Sequence, residues 1–292
     1  MSDIPKSNET FIQRQLKKII INKNDLQKLI DTKKGIYNSV KSWSTLKLIF
    51  LNYVADVYSR IMKNRNYFKD KYFYVDLFSG SGINTVDDSS GDLIFGSPLI
   101  VATRYPFTKM FFCDSNEDYT SALDERLKVT GLDKDKFKIY DKDCNNILDD
   151  IISQIKNGHS LIFIDPYGMQ ITWKSIEKIL QLKADVIMNF QTSEIVRGIE
   201  KSGEPTNACK SFFKDSNEAM KIYSKPIITR REELLKLYIK DIENTRLQTH
   251  SNVITEKVRV RKDEKYYYDL IFITRQTRGG SPWLNTIKKS WG

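Results

Sequence analysis

Between Tyr72 and Phe190 the sequence alternates short apolar runs with stretches of helical period, and this pattern admits few architectures. The strand candidates are residues 72–78, 110–114, 137–140, 161–164 and 185–190, and the helix candidates between them are 98–104, 117–129, 146–155 and 173–181. Runs that are apolar throughout belong to a sheet covered on both faces, and parallel neighbours need crossovers that helices supply. Two later runs, 253–260 and 266–274, flank the charged turn 261–265 and predict an antiparallel hairpin. The expected fold is therefore α/β and Rossmann-like, with five parallel strands, a C-terminal antiparallel pair and helices on both faces.

Upstream, residues 9–29 read as a helical arm, and Ser44 is placed to cap a helix carrying Leu46, Ile49, Phe50, Tyr53, Val54, Val57 and Ile61. Residues 230–245 read as a further helix after a poorly patterned stretch. The expected organisation is an N-terminal helical extension over 1–66 and a Rossmann-like domain over 67–292, with a helical insertion near 191–248. At 292 residues and 40% hydrophobic content the chain can bury a substantial core. No window approaches the roughly 18 apolar residues that span a bilayer, and the first twenty residues are polar, so a cytoplasmic protein is expected. Cys113, Cys144 and Cys209 lie far apart, and neither His159 nor His250 is near them in sequence. Neither a disulfide framework nor a metal site is expected.

The net charge of +10 is concentrated at the ends. Residues 1–34 carry eight Lys/Arg against four Asp/Glu, and residues 251–292 carry nine against four. Solvated surface accounts for such stretches, and so does attraction to a polyanion such as nucleic acid, which gains affinity by counterion release.

The first strand candidate runs Tyr72-Phe-Tyr-Val-Asp76-Leu-Phe78 into Ser79-Gly80-Ser81-Gly82. In an open α/β sheet, ligands sit at the carboxyl ends of strands, where glycines let the backbone approach them. A dinucleotide fingerprint has glycine or alanine three residues after the second glycine, and here Thr85 stands there. A P-loop continues Gly-Lys-Ser/Thr, whereas Ile83 and Asn84 follow Gly82. Asp76 instead suits a cofactor with an ammonium and a positive sulfur, which S-adenosylmethionine carries. Asp114, ending the second strand, is placed to accept ribose hydroxyls, and Asp143, after the third, to accept an adenine amino group. One Gly-x-Gly or one strand-end acid is ordinary turn chemistry. Their order over three successive strands points to a cofactor pocket made of Asp76, Phe78, Gly80, Gly82, Asp114, Asp143 and Cys144. Within that set Cys144 reads as a packing residue rather than a nucleophile. The polar stretch 84–96 reads either as a lid or as an insertion.

The fourth strand ends Ile164-Asp165-Pro166-Tyr167-Gly168. An amine on an aromatic base is a poor nucleophile because its lone pair is delocalised. An acceptor for its hydrogens helps to localise that pair. Asp165 is the candidate acceptor, Pro166 stiffens the loop, and Tyr167 offers a surface for a flat base. The element differs from the Asp/Asn-Pro-Pro-aromatic form of adenine and cytosine amino methyltransferases, and is closer to the Asp-Pro-Phe-Gly of tRNA guanosine dimethyltransferases. Asn189, Glu194 and Arg197, at and after the end of the fifth strand, read either as residues that face the substrate or, in preference, as polar loop residues.

Over about residues 40 to 290 the chain resembles the three-Cys-motif partner (TcmP) family. The resemblance rests on Trp43-Ser-Thr-Leu-Lys47, Ile61-Met-Lys-Asn64, Tyr74-Val-Asp-Leu-Phe-Ser-Gly-Ser-Gly82, Gly96-Ser-Pro-Leu99, Asp143-Cys-Asn145, Phe163-Ile-Asp-Pro-Tyr-Gly-Met-Gln170 and residues 266–275. Where the family has Gly-Pro-Gly, this chain has Gly80-Ser81-Gly82. The resemblance implies a bacterial or phage-associated Rossmann-like protein whose partner is a radical-enzyme-like protein bearing the three cysteines. Two functions are expected from different classes: an S-adenosylmethionine-dependent methyltransferase acting on a base amino group, or a catalytically silent adaptor of that partner.

Overall fold

The computed structural model describes residues 13, 15, 23–64, 71–87, 91–199, 203–261, 267–276 and 282–291. The chain divides into two compact units, Met1–Phe163 with Pro282–Gly292, and Ile164–Ser281.

The first unit begins with α1 (Lys23–Asp31), β1 (Asn38–Val40) and α2 (Leu46–Asn64). Ser44, the expected cap, lies inside a 3-10 turn over Ser42–Thr45 that leads into α2. Most of the expected arm over 9–29 falls outside the described residues, and α1 covers its end. There follow β2 (Tyr72–Asp76), β3 (Ile83–Val86), β4 (Leu93–Phe95), α3 (Ser97–Ala102), β5 (Lys109–Cys113), α4 (Glu117–Val129), β6 (Phe137–Tyr140), α5 (Cys144–Ile155) and β7 (His159–Ile164). All five residues of β2 are buried, as expected of a strand covered on both faces. Helix starts are fixed locally. The Asn116 side chain accepts the amides of Asp118 and Tyr119 at the head of α4, and Asp143 accepts the Asn145 amide at the head of α5. Glu117 and Asp118 in the first turn of α4, with Arg126 and Lys128 in its last, complement the helix dipole.

The second unit holds α6 (Trp173–Leu180), β8 (Ala184–Phe190), α7 (Thr192–Ile195), α8 (Asn207–Phe212), α9 (Ser216–Tyr223), α10 (Ile227–Leu247), β9 (Ile254–Arg261) and β10 (Tyr267–Thr274). Its core is aromatic: Tyr238 stacks on Phe212 at 4.6 Å and meets Trp173 edge-on at 5.4 Å. The hairpin is present, with β9 and β10 antiparallel from Tyr267↔Arg261 to Thr274↔Ile254, although its turn lies outside the described residues. The polar start of α7 is bound to β10. Thr192 donates to the buried Asp269 carboxylate, which Arg259 also grips bidentately at 2.8 and 3.1 Å, and the Ser193 hydroxyl bonds the Tyr267 backbone. The final helix, α11 (Pro282–Trp291), belongs to the first unit.

In the first unit four strands follow the hydrogen-bonded order β6-β5-β2-β7, and in the second three follow the order β8-β10-β9. Pairing is parallel among β6, β5, β2 and β7, and antiparallel where β10 meets β8 and β9. The expected strand count is corrected by a further, three-stranded sheet, β1-β3-β4. It occupies part of the stretch 84–96 expected as a lid or insertion. Strands of three or four residues are too short to show a period, and the partner of β3 lies more than forty residues upstream, at Asn38–Val40.

Candidate functional site

After β2 the chain goes to β5 and β6 on one side, then returns to β7 on the other. The carboxyl end of β2 is thus a topological switch point, where the connections leave in opposite directions and open a crevice. Register sets Asp76 opposite Phe112 of β5 and Phe163 of β7.

The glycine turn stands at this point. Gly80 and Gly82 have φ of +61° and +85°, a left-handed conformation that favours glycine. The backs of both are packed: a Cβ on Gly80 would lie 2.6 Å from Asn38 Oδ1, and one on Gly82 would lie 3.0 Å from Leu99 and Leu123 carbons. The Gly96 amide donates to the Gly82 carbonyl at 2.7 Å, which ties the β3–β4 pair to the turn.

Asp114, half-buried beyond β5, uses both carboxylate oxygens to order the site. Oδ2 accepts the Gly80 amide at 2.9 Å and Oδ1 accepts the Asn116 amide at 3.0 Å. Each oxygen retains a lone pair for a further donor. Asp143 is exposed, and its Oδ1 takes the Asn145 amide at 2.7 Å and side-chain N–H at 2.8 Å. Asp76 is placed otherwise. It is 0% exposed, and it accepts the Tyr74 hydroxyl at 3.1 Å and the amide of half-buried Phe78 at 3.3 Å. In this conformation it braces the turn from within. Ser79, 4% exposed, has a buried hydroxyl with no partner among the described residues. An orphaned hydroxyl inside the turn, two strand-end carboxylates and two left-handed glycines form a donor and acceptor set that fits a nucleoside-bearing cofactor.

Cys144 is buried at the start of α5, and burial, reinforced by Asp143, pushes its thiol up to about 12. Burial also raises the Cys113 thiol, which lies 3.0 Å from the Lys142 carbonyl. Both are packing thiols at neutral pH. No metal-holding group of His, Cys, Asp or Glu occurs among the described residues. Nor is any helix there long and apolar enough to cross a membrane.

Within the second unit, Asp165 is half-buried and Pro166 buried, while Tyr167 is 79% exposed. The Tyr167 amide donates to Gln170 Oε1 at 2.7 Å, and Gly168 has φ of +76°. Asn189 corrects its reading as a loop residue. It lies inside β8 at 1% exposure and donates Nδ2 to Asp165 Oδ1 at 2.7 Å, while its own Oδ1 has no partner among the described residues. A buried side-chain amide costs stability unless bonded, and this one bonds Asp165. Glu194 and Arg197 form an ion pair at 2.9 Å, and Arg197 also donates to the Ser193 carbonyl.

Three further contributors to the site, Asn38, Ser79 and Arg126, carry no signal in the sequence. Asn38 sits on a three-residue strand, Ser79 is one of many loop serines, and Arg126 reads as the basic last turn of α4.

No protein-family model and no curated protein sequence matches the chain. Solved structures similar to it include a putative O-methyltransferase from Klebsiella pneumoniae, at 10% identity and a TM-score of 0.49 over 91% of this chain and 96% of that one. An O-methyltransferase from Bacillus cereus in complex with SAH has 11% identity and a TM-score of 0.48 over 88% and 93%. The O-methyltransferase TomG from Streptomyces achromogenes, in complex with SAM, has 11% identity and a TM-score of 0.47 over 94% and 99%. These likenesses are distant, and it is the strand order that defines the fold.

Proposed function

We propose that the chain is an S-adenosylmethionine-dependent methyltransferase acting on an amino group of a nucleic-acid base. The observation that carries the reading is the glycine turn at the switch point, whose Gly80 amide is held by Asp114. The sheet also favours it: an antiparallel strand, β10, stands between β8 and β9, where a dinucleotide-binding sheet is parallel throughout. S-adenosylmethionine, when bound, supplies a methyl group activated by its sulfonium. Asp114 would hold the ribose through the lone pairs its two backbone bonds leave, and Asp143 would meet the adenine amino group. Ser79 would supply the turn's unused hydroxyl.

Asp165 would accept a hydrogen from the substrate amine and so raise the density of its lone pair. Asn189 donates to Oδ1 of Asp165 and so fixes the orientation of the carboxylate. The exposed ring of Tyr167 would stack on the base, a contact worth about 1–3 kcal/mol. The three-Cys-motif protein is the proposed partner, and the basic flanks are the proposed nucleic-acid contacts.

Calorimetry with S-adenosylmethionine and transfer of a labelled methyl group to DNA and RNA pools, with and without the three-Cys-motif protein, test this reading. Asp165→Ala should bind cofactor normally and transfer nothing. Absence of binding by the native chain would overturn the cofactor assignment. Binding without transfer to any pool, partner present, would make the chain a silent adaptor.

A further inference from the structure

We propose that the segment from Leu29 to Asn38, which stands outside the alternating β/α pattern, is a positioning element of the glycine turn and acts through Asn38 and Arg126. This rests on the reading that the turn binds S-adenosylmethionine.

The peptide units on both sides of Ser81 are fixed by side chains remote from it in sequence. On the amide side, Asn38 Oδ1 accepts the Ser81 N–H at 2.8 Å and lies 2.9 Å from its hydroxyl. A backbone N–H demands an oxygen opposite it, so the orientation of the Asn38 amide is set by the turn. That amide fills the space where any side chain at position 80 would begin, which makes the absence of a Cβ at Gly80 a condition of the contact. β1 is held in place by its parallel pairing with β3, Asn38 lying opposite Asn84.

On the carbonyl side, Arg126 donates Nη1 to Ser81 O at 2.7 Å. Its other donors run to the segment upstream of Asn38: Nη2 to Ile36 O at 2.9 Å and Lys33 O at 3.2 Å, and Nε to Leu29 O at 3.3 Å. The side chain is 0% exposed, and it also lies over the Tyr37 ring at 5.5 Å. Among the described residues its hydrogen bonds all go to backbone carbonyls, and burial moves its pKa down to about 10. Desolvating a guanidinium without a carboxylate beside it is costly. What the arrangement yields is geometric. One planar fork joins four carbonyls and ties the upstream segment to the turn, a task that one aliphatic side chain cannot perform. Ordering of residues 29–38 and binding at the turn are therefore linked, and each favours the other.

The test pairs hydrogen exchange with calorimetry, using S-adenosylhomocysteine as the probe. In Asn38→Ala, the Ser81 amide should exchange at least about tenfold faster and the probe should bind at least about tenfold more weakly. Asn38→Asp keeps an oxygen acceptor and should restore both to within about threefold, whereas Asn38→Leu, of similar shape but with no acceptor, should not. Arg126→Lys should weaken the probe and speed exchange at Ile36 and Asn38. In the native chain, bound probe should slow exchange across 29–38. If Asn38→Ala folds but exchanges and binds as the native chain does, the proposal is overturned. Should that variant fail to fold, Asn38→Ser carries the same two readouts. A native chain that ignores the probe sinks the cofactor reading instead, and Ser81 exchange still decides whether Asn38 holds the turn.

Discussion

Asn189 donates its side-chain N–H to Asp165 Oδ1 across 2.7 Å, joining the end of β8 to the loop that follows β7. The bond fixes which way the carboxylate faces. Reversing the Asn189 amide would set oxygen against oxygen, so the orientation is imposed by Asp165 itself.

Removing that bond should impair transfer without touching the cofactor. Asn189→Leu is expected to lower labelled methyl transfer by about 10- to 150-fold, the value of a hydrogen bond to a charged group. Calorimetric affinity for S-adenosylmethionine should stay within about twofold of native. Equal transfer by both proteins would show that Asn189 has no positioning role.

Asp114 should dominate cofactor affinity. It accepts two backbone amides, one from the glycine turn, and it is the proposed acceptor for the ribose. Asp114→Ala should weaken S-adenosylhomocysteine by about 10-fold or more, and Asp114→Asn by less, since an amide oxygen still accepts. Titration calorimetry distinguishes these outcomes.

Gly82→Ala is expected to destabilise the fold by about 1–3 kcal/mol, measured by urea unfolding. At φ of +85° an alanine is strained, and its Cβ would press on Leu99 and Leu123 at 3.0 Å. A neutral result would mean that the turn relaxes to another conformation.

The Cys144 thiol, pushed up to about 12 from 9.0 by burial, gives a pH dependence whose sign is fixed. The native state holds the proton more tightly than the unfolded chain. Its contribution to stability is complete below pH 9 and is lost as pH rises from there towards 12. At pH 8, iodoacetamide should label Cys144 in the native protein at least about 100-fold more slowly than in denaturant, as read by mass spectrometry. Rapid labelling of the native protein would point to an activated cysteine.

The parallel core is legible in the chain, because buried strands and crossover helices write their burial into runs of adjacent residues. Expected and observed strands agree within two residues for β2, β5, β6, β7 and β8, and the β9–β10 hairpin was equally legible. Gly80, Gly82, Asp114 and Asp143 were visible for the same reason, since they stand where a strand stops. The contacts around those positions come from folding alone. It turned Asp76 inwards to brace its own turn and set the side chain of Asn189 against Asp165. It also brought Asn38 and Arg126 from segments with no period of their own onto the two sides of Ser81. Periodicity records which side chains leave water, whereas a hydrogen bond between residues 24 to 45 positions apart depends on where folding places two backbones, and no local pattern encodes that.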